Sequence, residues 1–466
     1  MKIYNTLTKS LETFTPNEEN TVRMYTCGPT VYHYAHIGNL RTYIVEDVLE
    51  KGLEYLGYNV LRVMNITDVG HLENDSDDGE DKMLKSAARE HKSAYEIAEF
   101  YERAFFEDCA KLNIRKPKVV VPATKHIETY IEIIKKLLDL GYAYKSHGNI
   151  YFDISKANNY YQLSGRTQDE QLIGVRETVQ EDKNKRHPND FGLWFTDSKF
   201  ENQEMKWDSP WGIGYPGWHI ECSGLSYKYL GEYLDIHCGG VDNIFPHHTN
   251  EIAQSEGFLG HKWCNYWVHI EHLNDKNGKM SKSNGDFITV STLEEKKYDP
   301  KAYRLLCLQS HYRKQLIFTY EALDEAQKLY KKLKNKISKL DRTPDLHEQK
   351  LDYYKDKFKE AISNDLNTSS MLTVLYDVLK DNELTDFTKL YLVEDFEKVL
   401  SLGLIEDEND RVINEETESM ILKKIEERNE AKKRKDYETA DKIRDELFDK
   451  GIRLIDGRES TTYELI

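Results

Sequence analysis

No stretch of this chain stays apolar long enough to span a bilayer, and its opening, MKIYNTLTKSLETFTPN, holds no run resembling a signal peptide core. The expectation is a cytoplasmic protein without a membrane partner. Cysteine is sparse and scattered: six thiols, at 27, 109, 222, 238, 264 and 307, share no regular spacing and form no CxxC knuckle. Over 466 residues that argues against a disulfide framework and for reduced thiols, any special one serving a metal or a reaction. Positive charge is also short, with 65 Lys and Arg against 82 Asp and Glu, a net charge of −17. That balance lowers the expectation of a polyanionic partner, although a local basic patch escapes a net count. Tandem repeats, low-complexity tracts and a Ser/His/Asp arrangement for nucleophilic catalysis are missing too.

What is present is periodic. At 39% hydrophobic and 32% charged residues, the chain can bury sizeable cores and should divide into three or four domains. TVRMYTCG reads as a buried strand, NLRTYIVEDVLEKGLEYLG as a helix and YNVLRVMNITD as a second strand. Strand, helix and strand with a tight crossover predict a right-handed βαβ unit and a parallel, doubly wound sheet. Helices are expected over 81–113 and 125–140, the latter ended by Gly141. From YAYKSHGNIYFDI to WDSPWGIGYPG the pattern changes to short strands and turns, an insertion into the sheet domain. Strand–helix alternation resumes at GWHIECSGLSYKYLG and runs through CNYWVHIEHL. Beyond about residue 300 the chain is helical and charged until the tail GIRLIDGRESTTYELI.

Three stretches carry candidate chemistry. HIGN, residues 36–39, follows a strand and precedes a helix, so Gly38 admits a ligand close to backbone and the helix N-terminus offers N–H donors to an anion. His36 there can donate to a phosphate oxygen. NDKNGKMSKSNGD is a polar loop flanked by Gly278 and Gly285, with Lys279 and Lys282 placed to stabilise charge on a leaving pyrophosphate. In HHTNE, His247 and Glu251 are i and i+4 on one helical face. With Cys27 and Cys222 they make a donor set for tetrahedral Zn²⁺. Each stretch alone also has a plainer reading: an ordinary turn, a solvated basic loop, small apolar thiols in a core.

Together, CGPTVYHYAHIGN, NITDVG, GWHIECS, DIHCGGVDNIFPHHTNEIAQS and KMSKS resemble the cysteinyl-tRNA synthetases of class I, and the likeness continues into AKKRKDYETADKIRDELFDKGIRLID. The resemblance implies an α/β fold: a Rossmann-like parallel-sheet catalytic domain with an insertion, then an α-helical domain and a small C-terminal anticodon-binding module. The matching boundaries are 1–140 and 218–275 for the two catalytic halves, 141–217 for the insertion, 276–320 for the KMSKS loop and stem-contact region, 321–405 for the helical domain and 406–466 for the module. It implies ATP-dependent activation of L-cysteine to cysteinyl-adenylate, transfer to the 3′ end of tRNA(Cys), Mg²⁺ with the ATP, and a monomer. By matching position, His36, Asn39, Lys279 and Lys282 serve catalysis; Gly38, His36 and Lys282 bind ATP; Cys27, Cys222, His247 and Glu251 hold one zinc ion. Thr67, Trp218, His237 and Asp242 surround the substrate, Asp242 facing its ammonium. Zinc then selects cysteine over serine by taking the thiolate, a discrimination that a plain cavity cannot supply.

Departures from the family pattern are His33, where an acidic or amide residue is common, Cys238 for glycine and Thr249 for glutamate. Cys238 would add a spare thiol near the metal. Lys328, Lys332 and Lys336 form one helical stripe suited to phosphates or simply to solvent. Anticodon contacts map to Lys432, Asp441, Asp456 and Tyr463, with Lys432 in place of a common arginine. Two rivals share much of this pattern: a ligase joining activated cysteine to an amino sugar, and a non-catalytic tRNA-binding paralogue. The tail speaks against the first, and the intact signature residues speak against the second.

Overall fold

In a computed structural model, residues 1–69, 93–165, 185–196, 205–275, 278–279, 288–405, 415–434, 436–448, 452–456 and 461–465 are described. The chain opens with a hairpin, β1 (Lys2–Asn5) against β2 (Ser10–Thr13). Next, β3 (Thr21–Thr26) leads through residues 27–36 into helix α1 (Ile37–Tyr55), which returns the chain to β4 (Asn59–Ile66), parallel to β3. Helix α2 (Ala94–Lys111) begins where Ser93 accepts the Glu96 N–H and the Glu96 carboxylate takes the Ser93 N–H. This capping box sets the start at Ala94 within the helix expected over 81–113, whose first twelve residues lie outside the described ones. Strand β5 (Val119–Pro122) and helix α3 (Ile127–Asp139) complete the first half.

The insertion is antiparallel: β6 (Ala143–Ser146), β7 (Asn149–Phe152), β8 (Phe191–Phe195) and β9 (Tyr215–Pro216) pair in that order. Helix α4 (Trp218–Leu230), β10 (Leu234–Gly240), α5 (His247–Leu259) and β11 (Cys264–Ile270) then return to the parallel sheet. Its order is β11-β10-β3-β4-β5, all parallel. The chain leaves β3 towards β4 but comes back on its other side as β10. The carboxyl ends of β3 and β10 therefore flank the crevice where a doubly wound sheet accepts ligands. Residue alternation assigns the faces. Val22 and Met24 join the core under α1, while Tyr25 joins the core under α3, α4 and α5.

A short sheet edges that crevice: β12 (Leu273–Asp275) pairs with β13 (Gly278–Lys279) and with β14 (Leu316–Ile317). The sequence reading, with no strand expected there after residue 300, missed β14, because two residues carry no period. Helices α6 (Val290–Glu295) and α7 (Pro300–Leu308) come before β14. Beyond it, α8 (Tyr320–Ile337), α9 (Leu351–Ser363), α10 (Thr368–Lys380) and α11 (Asp386–Leu400) share one hydrophobic core with α1. Finally α12 (Glu415–Lys433), α13 (Tyr437–Phe448) and the hairpin β15 (Ile452–Asp456) with β16 (Thr461–Leu465) close over a small core of Ile421, Ile425, Ile443, Leu447 and Ile452. Arg453 of that hairpin pairs with Glu107 of α2 at 3.2 Å.

One buried side chain ties the crevice together. Arg41 of α1 donates Nη1–H to the Glu271 and His272 carbonyls at 2.7 and 2.6 Å, and Nη2–H to Lys314 O at 2.6 Å. It thereby fixes α1, the end of β11 and the approach to β14 in one register. Arg41→Leu leaves these carbonyls without their donor, so unfolding in urea should show a loss of about 3 kcal/mol. A change within about 0.5 kcal/mol, the size of an ordinary surface substitution, contradicts this clamp.

Candidate active site and metal centre

The crevice holds a cavity of about 400 Å³, lined by Cys27, by residues of the loop before α1 including His36, by Gly38 and Asn39, and by Gly239, Gly240, Asp242, His272 and Leu273. His36 is the N-cap of α1, and its Nδ1 accepts the Asn39 N–H at 3.1 Å. With Nδ1 accepting, the neutral ring carries its proton on Nε2, which makes that nitrogen a donor. Gly38 is required by this arrangement: a Cβ there would meet the His36 ring at 2.9 Å. The signature turn is thus a ring folded over a bare backbone.

At the inner end of the cavity stand four donors from three elements. Cys27 follows β3, Cys222 sits on α4, and His247 and Glu251 share a face of α5. The separations are 3.9 Å for Cys27 Sγ to Cys222 Sγ, 3.5 Å for Cys222 Sγ to His247 Nε2, 3.1 Å for His247 Nε2 to Glu251 Oε1 and 4.0 Å for Cys27 Sγ to Glu251 Oε1. A tetrahedron with arms of about 2.0–2.3 Å has edges of roughly 3.3–3.8 Å, so these donors fit a four-coordinate cation. Their electrostatics agree. Burial raises the Glu251 carboxyl to about 8, against the pull of His247. The Cys27 thiol is pushed well up by its contact with Cys222 and by burial. Cys222 also rises, because burial with Glu251 and Glu221 outweighs the lowering effect of its contact with Cys27. Three would-be anions packed this tightly keep their protons unless a cation joins them.

A ring of further side chains surrounds this group. His248 Nε2 lies 3.4 Å from Cys27 Sγ, and its Nδ1 is 2.8 Å from His269 Nε2, whose Nδ1 meets Thr6 Oγ1 at 2.8 Å. His237 Nε2 bonds Glu251 Oε2 at 2.9 Å, and His219 Nδ1 bonds His247 Nδ1 at 2.8 Å. Burial holds His237 and His269 down to about 3 and His248 well below the usual histidine range, with neighbouring imidazoles adding to each effect. The rings are therefore neutral hydrogen-bonding groups. Cys27, His237, His248 and Glu251 also lie close enough to form a second donor group. Gly239 makes room for this wall, since a Cβ there would approach His248 to 2.8 Å.

The remaining sequence-derived positions fall as follows. Trp218, the first residue of α4, sets its ring 5.0 Å from that of His247. Thr67 is buried, donating to Glu221 Oε2 at 3.2 Å. Asp242 is exposed at the cavity and pairs with His272 at 3.2 Å. Lys279 closes β13 opposite Asn274, while Lys282 lies outside the described residues, as does the side chain of Lys279. The reading of Cys238 as a spare thiol near the metal is corrected. It pairs in register with Thr26 and packs in the core under α1, on the sheet face opposite His237. Thr249 donates to Ile244 O at 2.7 Å, a tie within the loop before α5. His33 stacks on Tyr101 at 6.0 Å.

In the C-terminal module, Lys432 lies on α12, and Asp441 of α13 pairs with Arg444 at 3.0 Å. Tyr463 pairs with Leu454 across the hairpin and packs against the module core. Asp456 ends β15, its side chain outside the described residues. Lys328, Lys332 and Lys336 are exposed along α8, with Lys328 paired to Glu325 at 2.7 Å. Among the described residues, no helix is long and apolar enough to cross a membrane.

Comparison with known proteins agrees with this geometry. Residues 13–328 match the catalytic domain described as that of class I (C) tRNA synthetases. A cysteine--tRNA ligase of Treponema denticola is 47% identical, the match covering 100% of this chain and 99% of the relative. One from Clostridioides difficile is 41% identical, with both chains fully covered. Among solved structures, Mycobacterium tuberculosis methionyl-tRNA synthetase with methionyl-adenylate superposes with a TM-score of 0.55 at 14% identity, over 82% of this chain and 91% of the other. An Agrobacterium radiobacter leucyl enzyme in a ternary complex with tRNA gives 0.57 at 10% identity, over 84% of each chain. At those identities the likeness is one of fold alone.

Proposed function

We infer the reaction from membership: the chain belongs to the cysteine--tRNA ligase family of class I tRNA synthetases, and it activates L-cysteine with ATP and passes it to tRNA(Cys). One observation carries the reading of the site: the four-donor group and the His36 turn open on the same cavity, through Cys27 and His36. The reaction needs an amino acid and a triphosphate held side by side, and this crevice has a pole for each.

The metal we assign is one Zn²⁺ held by Cys27, Cys222, His247 and Glu251, and when bound it supplies a soft site for the substrate thiolate. The chain's own residues do the rest. Asp242 at the cavity edge faces the substrate ammonium, Trp218 and His237 pack around the donor group, and Thr67 lies beneath the loop after β3. His36 presents Nε2–H to a phosphate oxygen while Asn39 holds its ring. The cysteine carboxylate attacks the α-phosphorus, pyrophosphate leaves, and Lys279 and Lys282 meet the charge that develops, with Mg²⁺ accompanying the ATP. The catalysis is positional and electrostatic and requires no nucleophilic side chain.

For tRNA we assign the helical domain 321–405, with Lys328, Lys332 and Lys336 facing phosphates, and the module 406–466, with Lys432, Asp441, Asp456 and Tyr463 near the anticodon. The insertion 141–217 separates the catalytic halves, and 276–320 carries the KMSKS signature and contacts the stem. Cysteine-dependent ATP–pyrophosphate exchange tests activation, and charging of tRNA against an amino sugar tests the acceptor. A chain ended at residue 405 and shown to be folded should keep pyrophosphate exchange but charge tRNA poorly, with the loss deepening as salt rises. Normal charging by that truncation removes the tRNA role from the module.

A further inference from the structure

Three of the four metal donors have a partner in the surrounding ring: His248 at Cys27, His237 at Glu251 and His219 at His247. Cys222 is the exception. Its sulfur meets Cys27 and His247, both members of the donor group itself, and outside that group it neighbours the Tyr25 side chain. Beside it lies a complementary gap. The Tyr25 hydroxyl is fully buried and, among the described residues, makes no well-formed hydrogen bond. Tyr25 lies in β3 and Cys27 follows the end of that strand; Tyr25 shares the hydrophobic core of Cys222, and Cys27 packs against that same core. Its ring stands edge-on to His237 at 5.2 Å. A phenol O–H is a hydrogen-bond donor by its own chemistry.

We propose that Tyr25 is a positioning residue for cysteine selection: its O–H donates to the Cys222 thiolate, as His248 Nε2–H donates to Cys27, so that the ion they hold keeps room for a further sulfur ligand. The inference rests on the zinc reading above. A neutral thiol is a weak acceptor and a thiolate a strong one, so the phenol has a partner once Cys222 serves as a metal ligand. Charge explains the use. Two thiolates and a carboxylate already leave a dication at a net −1, and an incoming thiolate takes it to −2. Donors aimed at the sulfurs draw electron density off them and make that uptake less costly. The tautomers agree along the His248 chain. With Thr6 as donor to His269 Nδ1, His269 Nε2–H would donate to His248 Nδ1, which leaves the His248 Nε2–H for a Cys27 thiolate.

Tyr25→Phe in the full chain tests this, because it removes one oxygen and keeps the ring. Three readouts apply: melting of the metal-free protein, the thiolate-to-metal charge-transfer band after loading with Co²⁺, and KM for cysteine beside KM for ATP. The expected result is a metal-free variant that melts no lower than wild type and a charge-transfer band moved to lower energy. KM for cysteine should rise about tenfold or more, the scale known for outer partners of metal ligands, with KM for ATP unchanged. An unmoved band with unchanged KM overturns the proposal. So does a clearly lower melting point without metal, which would make the hydroxyl a structural partner instead. Wild-type protein that takes up Co²⁺ without any thiolate band overturns the zinc reading itself.

Discussion

Cys222→Ser protein should lose cysteine-dependent pyrophosphate exchange by more than about a hundredfold, beyond what losing an outer partner of a metal ligand costs. KM for ATP should stay near its wild-type value. The separation follows from the architecture: Cys222 rides on α4, whereas the turn assigned to ATP rides on the start of α1. Serine's hydroxyl is harder than a thiol and holds its proton far more tightly. It also reaches less far into a group whose edges are set by the Cys27–Cys222 and Cys222–His247 separations of 3.9 and 3.5 Å. The variant should purify with less than one metal ion per chain by elemental analysis. Wild-type protein that lacks stoichiometric zinc, or a variant that activates cysteine normally, removes the metal from substrate recognition.

The alternation of periods in the first 70 residues was enough to read a parallel sheet, because β3 and β4 are buried strands and α1 has a helical repeat. The metal donors were legible for a different reason. His247 and Glu251 are one helical turn apart, and that spacing has direct geometric meaning. Cys27 and Cys222, 195 residues apart, complete a donor set by chemistry but have no spacing that joins them, since nothing local says that β3 and α4 converge; the family pattern supplied that link. Of the surrounding ring, His237 was named from the family pattern, whereas His219, His248 and His269 were not. HHTNE shows two adjacent histidines, four and three residues before Glu251, and both spacings bring a side chain near it, so the sequence alone does not say which does what. That His248 reaches Cys27 depends on where the sheet sets β3. The same limit hid Arg41, whose carbonyl partners come from 230 to 273 residues away. Cys238 was misplaced because a motif records adjacency in sequence, while a strand sends neighbouring side chains to opposite faces.

Lys282→Ala should lower the rate of adenylate formation on the order of a hundred- to a thousandfold, the cost of removing one group that meets developing charge. Zinc content and cysteine binding should stay near wild type, because the donor group lies on other elements. The structure supports the reach of this lysine. Strand β13 ends at Lys279, held opposite Asn274 in the short sheet whose Leu273 lines the cavity. Three residues of chain span at most about 11 Å, so Lys282 is tethered within that distance of Lys279. The distinguishing measurement is single-turnover adenylate formation at saturating cysteine and ATP, which isolates the chemical step from binding. An unchanged rate there makes KMSKS a solvated connector. The burden of charge stabilisation would then pass to His36 and the start of α1.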